Sequence, residues 1–312
     1  MRKASKSVTL TGLMQASAML TIVVSLLTAI DNAFYEIELF SPFRLQYLLV
    51  SLVLLPVLAA LRKPVYAAAL LATAIFNAVP VVPWHLGEPA ATDGPRLTIL
   101  NANVLAENDD YERLFELISA EQPDVIFVQE YSPAWADATQ RLRTDYPYSY
   151  GEPRHGAFGI AMFSRVPLDT VRHVDSPPLG YPTIVATLTV DGKPLTIISS
   201  HPQVPVTRSL HEARNVQLAS LADLINATAG AVVFCGDLNA TMWDHSYKVL
   251  EASTGLKNAR LGFGVLPTWP TFMPLAMIPI DHVLVSREVQ VAEARTAGSI
   301  GSDHLPLLVT LV

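Results

Sequence analysis

The sequence contains a single cysteine, Cys235, so no disulfide can form within the chain and cysteine usage says nothing of redox compartment. Its setting, AVVFCGD, suggests a buried strand, where a free thiol behaves as a small hydrophobe. Charge is scarce as well: 16% of the 312 residues are charged, against about 25% in ordinary soluble domains. The scarcity is local. Residues 1–94 hold six Lys and Arg against five Asp and Glu, which leaves 15 of the 21 basic and 23 of the 28 acidic residues to the remainder, so the two parts carry +1 and −8. The acidic remainder has only three lysines, Lys193, Lys248 and Lys257. It lacks the basic footprint from which sequence-independent nucleic-acid binding draws its affinity, and this counts against a general nuclease. There is no internal repeat, and no low-complexity tract beyond the apolar front end.

That front end is built of uncharged runs: Val8–Ile30, Leu45–Leu61 and Val65–Val82. A helix needs about 20 apolar residues to cross the hydrocarbon core, with a lower limit near 17. The first run, behind Arg2, Lys3 and Lys6, has the look of a signal peptide but exceeds the usual apolar length of one. The later two carry no polar stripe that would suit a hairpin in a soluble core. The expected organisation is a membrane anchor over 1–84 with three transmembrane helices (about 8–30, 45–61 and 65–82), a linker over 85–95 containing GEPAATDGP, and a catalytic domain over 96–312. Positive charges sit before the first span and, as Arg62 and Lys63, between the second and third. The loop between the first two spans offers Asp31, Glu36 and Glu38 with Arg44 alone. Lys and Arg in short loops stay inside, so the N-terminus is expected in the cytoplasm and the domain on the periplasmic or extracellular side of the cell's inner, cytoplasmic membrane.

From Arg96 short β-rich runs alternate with helical stretches, the pattern of an α/β or α+β sandwich. Strands are predicted at LTILNANVL, DVIFVQE, GIAMFSR, TIVATLTV, LTIISSH, AVVFCGD, IDHVLVS and LPLLVTLV. A helix capped by Asn108 or Asp109 is predicted through Ala120 with Leu114, Leu117 and Ile118 on one face, and another over Arg208–Ala227 that turns Leu210, Leu218, Leu221, Leu224 and Ile225 inward.

Polar residues gather at strand ends: Asn103, Glu130, His201, Asp237 with Asn239, and Asp281, Asp303 and His304. Hard cations such as Mg²⁺ prefer carboxylate, amide and water oxygens, so Glu130, Asp303 and Asn103 suit a metal that also binds a phosphate oxygen. Asp237 and Asn239, two residues apart on one turn, can orient a water while His304 donates to a phosphoryl group. Each has a plain alternative. GD at a strand end is often a turn in which Asp bonds its own backbone; His201 before Pro202 can be structural; SDH can cap a loop.

Their joint order changes that balance. ILNANVL, PDVIFVQE, GIAMFSR, ISSHP, CGDLNA, IDHVLVS and SDHLPL follow one another over nearly all of Arg96–Val312, and in them the sequence resembles the endonuclease/exonuclease/phosphatase superfamily, which includes DNase I-like nucleases, abasic-site endonucleases, sphingomyelinases and inositol-phosphate phosphatases. The resemblance implies an α/β fold, a four-layer sandwich of two packed β-sheets with outer helices, here preceded by three transmembrane helices. It implies Asn103, Glu130 and Asp303 at a Mg²⁺ (or Mn²⁺) site, Asp237 activating water, Asn239 orienting it, and His304 on the phosphate. It further implies that Asp281 orients His304 and that His201 is a second catalytic histidine. Every expected position is filled, so a degraded pseudoenzyme is not expected. His282, on the opposite face from Asp281, is left without chemistry.

Three spans before such a domain, with PTWP ahead of IDHVLVS, are most similar to members associated with vancomycin and teicoplanin resistance. The apolar run MPLAMIP before Asp281 suggests a loop, with Phe272, Met273, Leu275, Met277 and Ile278, that meets lipid; folding back as core is the alternative. The expected function is thus a membrane-anchored, divalent-metal-dependent phosphoesterase. Its partners would be the bilayer and a phosphoester substrate, here a lipid-linked (undecaprenyl-type) phosphate or diphosphate. An extracytoplasmic nuclease using Arg208, His211 and Arg214 against nucleic acid, and a non-catalytic membrane scaffold, are the competing readings.

Overall fold

The computed structural model describes residues 9–31, 34–91, 94 and 96–312. Arg2, Lys3, Lys6 and Val8, with Thr92, Asp93 and Pro95 of the expected linker, lie outside them. The chain forms two compact units, residues 1–83 and 84–312.

In the first unit, helices α1 (Leu10–Leu27), α2 (Tyr35–Glu38), α3 (Arg44–Ala60) and α4 (Pro64–Val81) build three apolar stretches, Leu10–Ile30, Tyr35–Ala60 and Pro64–His85, each long enough to cross a membrane. The middle one begins ten residues before the expected Leu45, because α2 and a 3₁₀ turn over Ser41–Phe43 precede α3. The polarity is inverted relative to a water-soluble bundle. Leu10, Val65 and Val79 point outward, while Ser25, Ser51 and Asn77 are buried and Asn77 Nδ2 donates to Ser25 Oγ at 3.0 Å. Small and hydrogen-bonding residues inside, with aliphatic residues outside, are what helices packed in lipid require.

The second unit is two six-stranded mixed sheets. Its strands are β1 (Leu97–Asn103), β2 (Val125–Gln129), β3 (Tyr148–Glu152), β4 (Ile160–Ser164), β5 (Leu168–Ser176), β6 (Tyr181–Val190), β7 (Lys193–Ser200), β8 (Ala231–Asp237), β9 (Lys257–Asn258), β10 (Asp281–Val285), β11 (Val291–Thr296) and β12 (Leu307–Leu311). One sheet has the order β11-β12-β1-β2-β4-β3 and the other β5-β6-β7-β8-β10-β9. Alternate residues of both meet in one core: Ile99, Phe127 and Met162 from the first, Ile197, Val233, Cys235 and Val283 from the second. Burial pushes the Cys235 thiol up to about 12, so it is inert there. On the outer face of the first sheet, Leu100, Ile126 and Phe163 pack under helix α5 (Tyr111–Glu121) and the short α6 (Pro133–Ala138) with its buried Trp135. Helices α7 (Arg208–Asn226) and α8 (His245–Thr254) pack on each other and belong with the second sheet.

One local expectation is corrected. The first helix of this unit starts at Tyr111 after Asp110, and Asn108 instead ties its loop together, accepting from Asp110 N and donating to Val104 O and Ile300 O. Within the residues expected as linker, Ala90 N donates to Val291 O, and just ahead of them Trp84 O accepts from Gly262 N and Gly264 N.

Candidate active site

Topology collects the polar residues at one edge of the sandwich. β1 and β2 run parallel with Asn103 opposite Gln129, so Asn103 and Glu130 leave their strands together. β7 and β8 also run parallel, which brings His201 and Asp237 to matching ends. β10 runs against β8 with Asp281 directly opposite Asp237. β12 runs against β1, and the pairing of Asn101 with Leu307 sets Asp303 and His304 beside the end of β1.

Asp237 is the hub, 1% exposed. Its Oδ1 accepts from Asn239 N at 2.9 Å, an Asx turn. Around Oδ2 lie Asn103 Nδ2 at 3.0 Å, His201 Nε2 at 3.4 Å and His304 Nε2 at 3.7 Å. The turn demands a glycine before it: a Cβ on Gly236, at φ +148°, would sit 1.9 Å from Ser200 O. Glu130 (φ +60°) and Asn239 (φ +49°) both hold the left-handed conformation that side chains avoid, a strain that concentrates at functional sites.

Asn103 Nδ2 donates to Glu130 Oε1 at 3.1 Å as well as to Asp237, while its Oδ1 accepts from Leu105 N. The Glu130 Oε2 accepts from Ala106 N. Asn103 thus bridges two carboxylates with its nitrogen, and its oxygen is taken by the backbone. Asp303 Oδ2 accepts from Trp269 Nε1 at 2.9 Å. His304 Nδ1 is 2.8 Å from Asp281 Oδ2. His201 Nδ1 faces Ala157 O at 3.0 Å, and Asn239 Nδ2 donates to Pro202 O.

Charges follow from this arrangement. Burial disfavours ionised Asp237, but the nearby His304 charge, the hydrogen bond and charge of His201 and the Asn239 amide outweigh it, and the carboxyl is held well below the usual range. Burial likewise opposes a charged His304, yet Asp281, Asp237 and Asp303 raise it to about 9. His201 is raised in the same way: burial opposes its charge, and Asp237 overcomes that.

The oxygens fit a hard divalent cation. Each Glu130 carboxylate oxygen takes one hydrogen bond and keeps lone pairs, and the buried Asp281 Oδ1 has no hydrogen-bond partner. Asp237, Asp281 and His304 also present ligand atoms within 4.8 Å of one another. Of the residues expected at a metal, Glu130 and Asp303 are half-buried carboxylates and Asn103 donates to Glu130; direct ligation by Asn103 would need its oxygen released from Leu105 N. Bound there, a divalent ion would neutralise charge on phosphoryl oxygens.

The structure therefore links Glu130, Asn103, Asp237, Asn239, His201, His304 and Asp281 in one contact chain, with Asp303 adjoining through His304. It places His282 away from them: His282 is fully buried, with Ala240 O 2.8 Å from Nε2 and with Asn258 Nδ2 and Arg260 Nη1 near Nδ1. Two contributors escaped the sequence reading. Arg214, expected on a solvated or nucleic-acid-binding helix face, is 2% exposed and donates to Asn239 O at 2.8 Å; its spacing to Leu218, Leu221 and Ile225 marks the buried stripe of α7. Trp269 of PTWP holds Asp303, and nothing in its local sequence announces that.

A family model described as "Endonuclease/Exonuclease/phosphatase family" matches residues 99–304. Among solved structures, D. rerio TDP2 complexed with single strand DNA product is similar at 18% identity and TM-score 0.61, covering 70% of this chain and 99% of that one. The human Nocturnin catalytic domain with bound sulfate anion is similar at 21% identity and TM-score 0.57, covering 70% and 94%. Beta toxin from Staphylococcus aureus is similar at 17% identity and TM-score 0.52, covering 68% and 99%. These likenesses establish the fold. No curated protein matches the sequence.

Proposed function

The chain belongs to the endonuclease/exonuclease/phosphatase family, whose members are metal-dependent phosphoester hydrolases, and from that premise we propose that it hydrolyses a lipid-linked phosphate or diphosphate at a membrane surface. In this reading Asp237 and Asn239 orient the attacking water, and Asp237, ionised throughout the useful pH range, accepts its proton. The protonated His304, aligned by Asp281, donates to the phosphoryl group, and His201 stands by the same carboxylate. The phosphorus–oxygen bond to the leaving group breaks and the leaving oxygen takes a proton from water, giving phosphate and an alcohol from a monophosphate ester, or phosphate and the lipid monophosphate from a diphosphate.

The observation that carries the lipid assignment is the loop between Trp269, which holds Asp303, and Asp281. Its tip exposes Phe272 (69%), Met273 (54%) and Leu275 (94%). Exposed apolar side chains clustered beside a polar site mark a contact surface. Ile278 instead turns inward and bridges to Trp269, so the run expected to face lipid divides: the tip is open and the Met277–Ile278 end folds back. Three apolar helices ahead of the domain agree with anchorage and with the narrower resemblance to glycopeptide-resistance-associated members. Arg62 and Lys63 between the second and third helices favour an extracytoplasmic domain and an N-terminus inside.

The test uses the full-length protein in detergent with Mg²⁺ or Mn²⁺ and follows phosphate release from undecaprenyl diphosphate beside nicking of supercoiled plasmid. Lipid turnover that chelation and Asp237→Asn abolish is expected. Plasmid nicking without lipid turnover moves the function to a nuclease, the activity class suggested by the TDP2 complex with a DNA product. Cellular function left intact in Asp237→Ala means a scaffold. In vesicles, the pair Phe272→Ser and Leu275→Ser is expected to raise KM about tenfold without changing Tm; an unchanged KM removes the loop from lipid contact.

A further inference from the structure

On the His201 side of the site two rings lie face to face. Phe158 and Tyr181 stack with centroids 3.8 Å apart and planes within 5°, and the Phe158 centroid is 5.3 Å from the His201 ring. Both are half-buried although Phe158 lies against the polar cluster at His201. The stack is fixed from behind: Tyr181 OH donates to Gln203 Oε1 at 2.8 Å, and buried Gln203 is held through its backbone N by Gln217 Oε1. Phe158 follows Ala157, whose carbonyl faces His201 Nδ1.

In a phosphoester hydrolase, the carbon group on the leaving oxygen lies within a few bond lengths of the reacting phosphorus. Asn103, Glu130, Asp237, Asn239 and His304 offer the phosphoryl group polar atoms. The stacked pair offers planar apolar rings, and Leu179 and Val206, close in sequence to Tyr181 and Gln203, are exposed. Arg154, close in sequence to Phe158, donates to Gly180 O and faces Asp175 at 3.7 Å. From this juxtaposition we infer that the Phe158–Tyr181 stack is the subsite for the group attached to the phosphate, and that it selects an apolar, planar carbon group such as the first unit of an isoprenoid. The inference rests on the phosphoesterase reading above and adds the residues that choose the substrate. Ring stacking and apolar contact give such a surface its selectivity.

The experiment measures binding, without turnover, of three phosphonates to the full-length protein in detergent with Mg²⁺: farnesyl phosphonate, phenylphosphonate and hydroxymethylphosphonate. The native chain is expected to bind the first two about tenfold more tightly than the third. Phe158→Ala is expected to erase that preference while leaving Kd for hydroxymethylphosphonate within about twofold, and Phe158→Leu, which keeps bulk but loses planarity, falls between. A native chain with no preference, or a Phe158→Ala variant weakened equally for all three, overturns the inference, the latter because the ring would then act only by positioning His201. A preference for phenyl without farnesyl leaves the subsite standing and removes the lipid substrate, which separates the two failures.

Discussion

His304 and Asp281 share a 2.8 Å hydrogen bond, Nδ1 to Oδ2, while the second imidazole nitrogen of His304 lies 3.7 Å from Asp237 Oδ2. One histidine is thus held between two buried carboxylates, each on a different strand of the same antiparallel pair. Replacing Asp281 with Asn keeps the shape and removes the charge. We expect kcat to fall about 100-fold, the scale of one acid–base contribution, with KM changed much less. Steady-state kinetics beside a thermal melt checks this; a kcat within twofold of native removes Asp281 from the mechanism.

Arg214 reaches from α7 to the carbonyl of Asn239. Arg214→Met should cost about 2 kcal/mol, the range for a hydrogen bond from a charged donor, and should lower kcat more than it raises KM, because the strained Asn239 turn relaxes. Chemical unfolding and kinetics on the same preparation decide it, and a destabilised variant with native kcat would mean that Arg214 supports only the fold.

Gly236→Ala is expected to abolish the folded catalytic domain, since its Cβ would lie 1.9 Å from Ser200 O in a conformation closed to L side chains. Gly298→Ala has nothing within 4 Å of the added carbon and should be neutral or slightly stabilising. Circular dichroism melts of the two variants test the contrast.

Stability should fall in acid through His282. Burial, with the Arg260 charge, depresses its folded pKa to about 3, against about 6.5 in an unfolded chain. Below about 6.5 the unfolded chain takes up a proton that the folded chain refuses, so stability is lost as pH falls from 6.5 toward 3. Above 6.5 this residue has no pH effect. Between pH 7 and pH 5 the loss is about 2 kcal/mol. His282→Gln lacks this loss, so the stability gap between native and variant should narrow by that amount over the interval; urea titrations at both pH values measure it, and a constant gap refutes it.

The strands legible in the sequence were β1, β2, β4, β6, β7, β8, β10 and β12, and those not legible were β3, β5, β9 and β11. All four of the latter are sheet edges. An edge strand such as LDTVRHVDS buries little and needs no apolar run, so it leaves only a faint local pattern. The apolar helices were legible because lipid-length runs need no partner to be recognised. Asn103, Glu130, His201, Asp237, Asn239, Asp281, Asp303 and His304 were nameable from motif order. The amide orientation of Asn103, the grip of Arg214 on Asn239, the Trp269–Asp303 bond and the Phe158–Tyr181 stack were not, since each joins residues whose separation in sequence carries no period.

By itself the amino-acid order determined the division into an apolar front and an acidic α/β domain, the central strands, and the residue types from which a phosphoester site is made, because these depend on local hydrophobic periodicity and composition. Only the tertiary structure decided that those side chains meet around Asp237, which nitrogen faces which carboxylate, and which apolar groups remain at the rim. Distances across two packed sheets are set by strand register and core packing, and these arise only when distant segments bury one another.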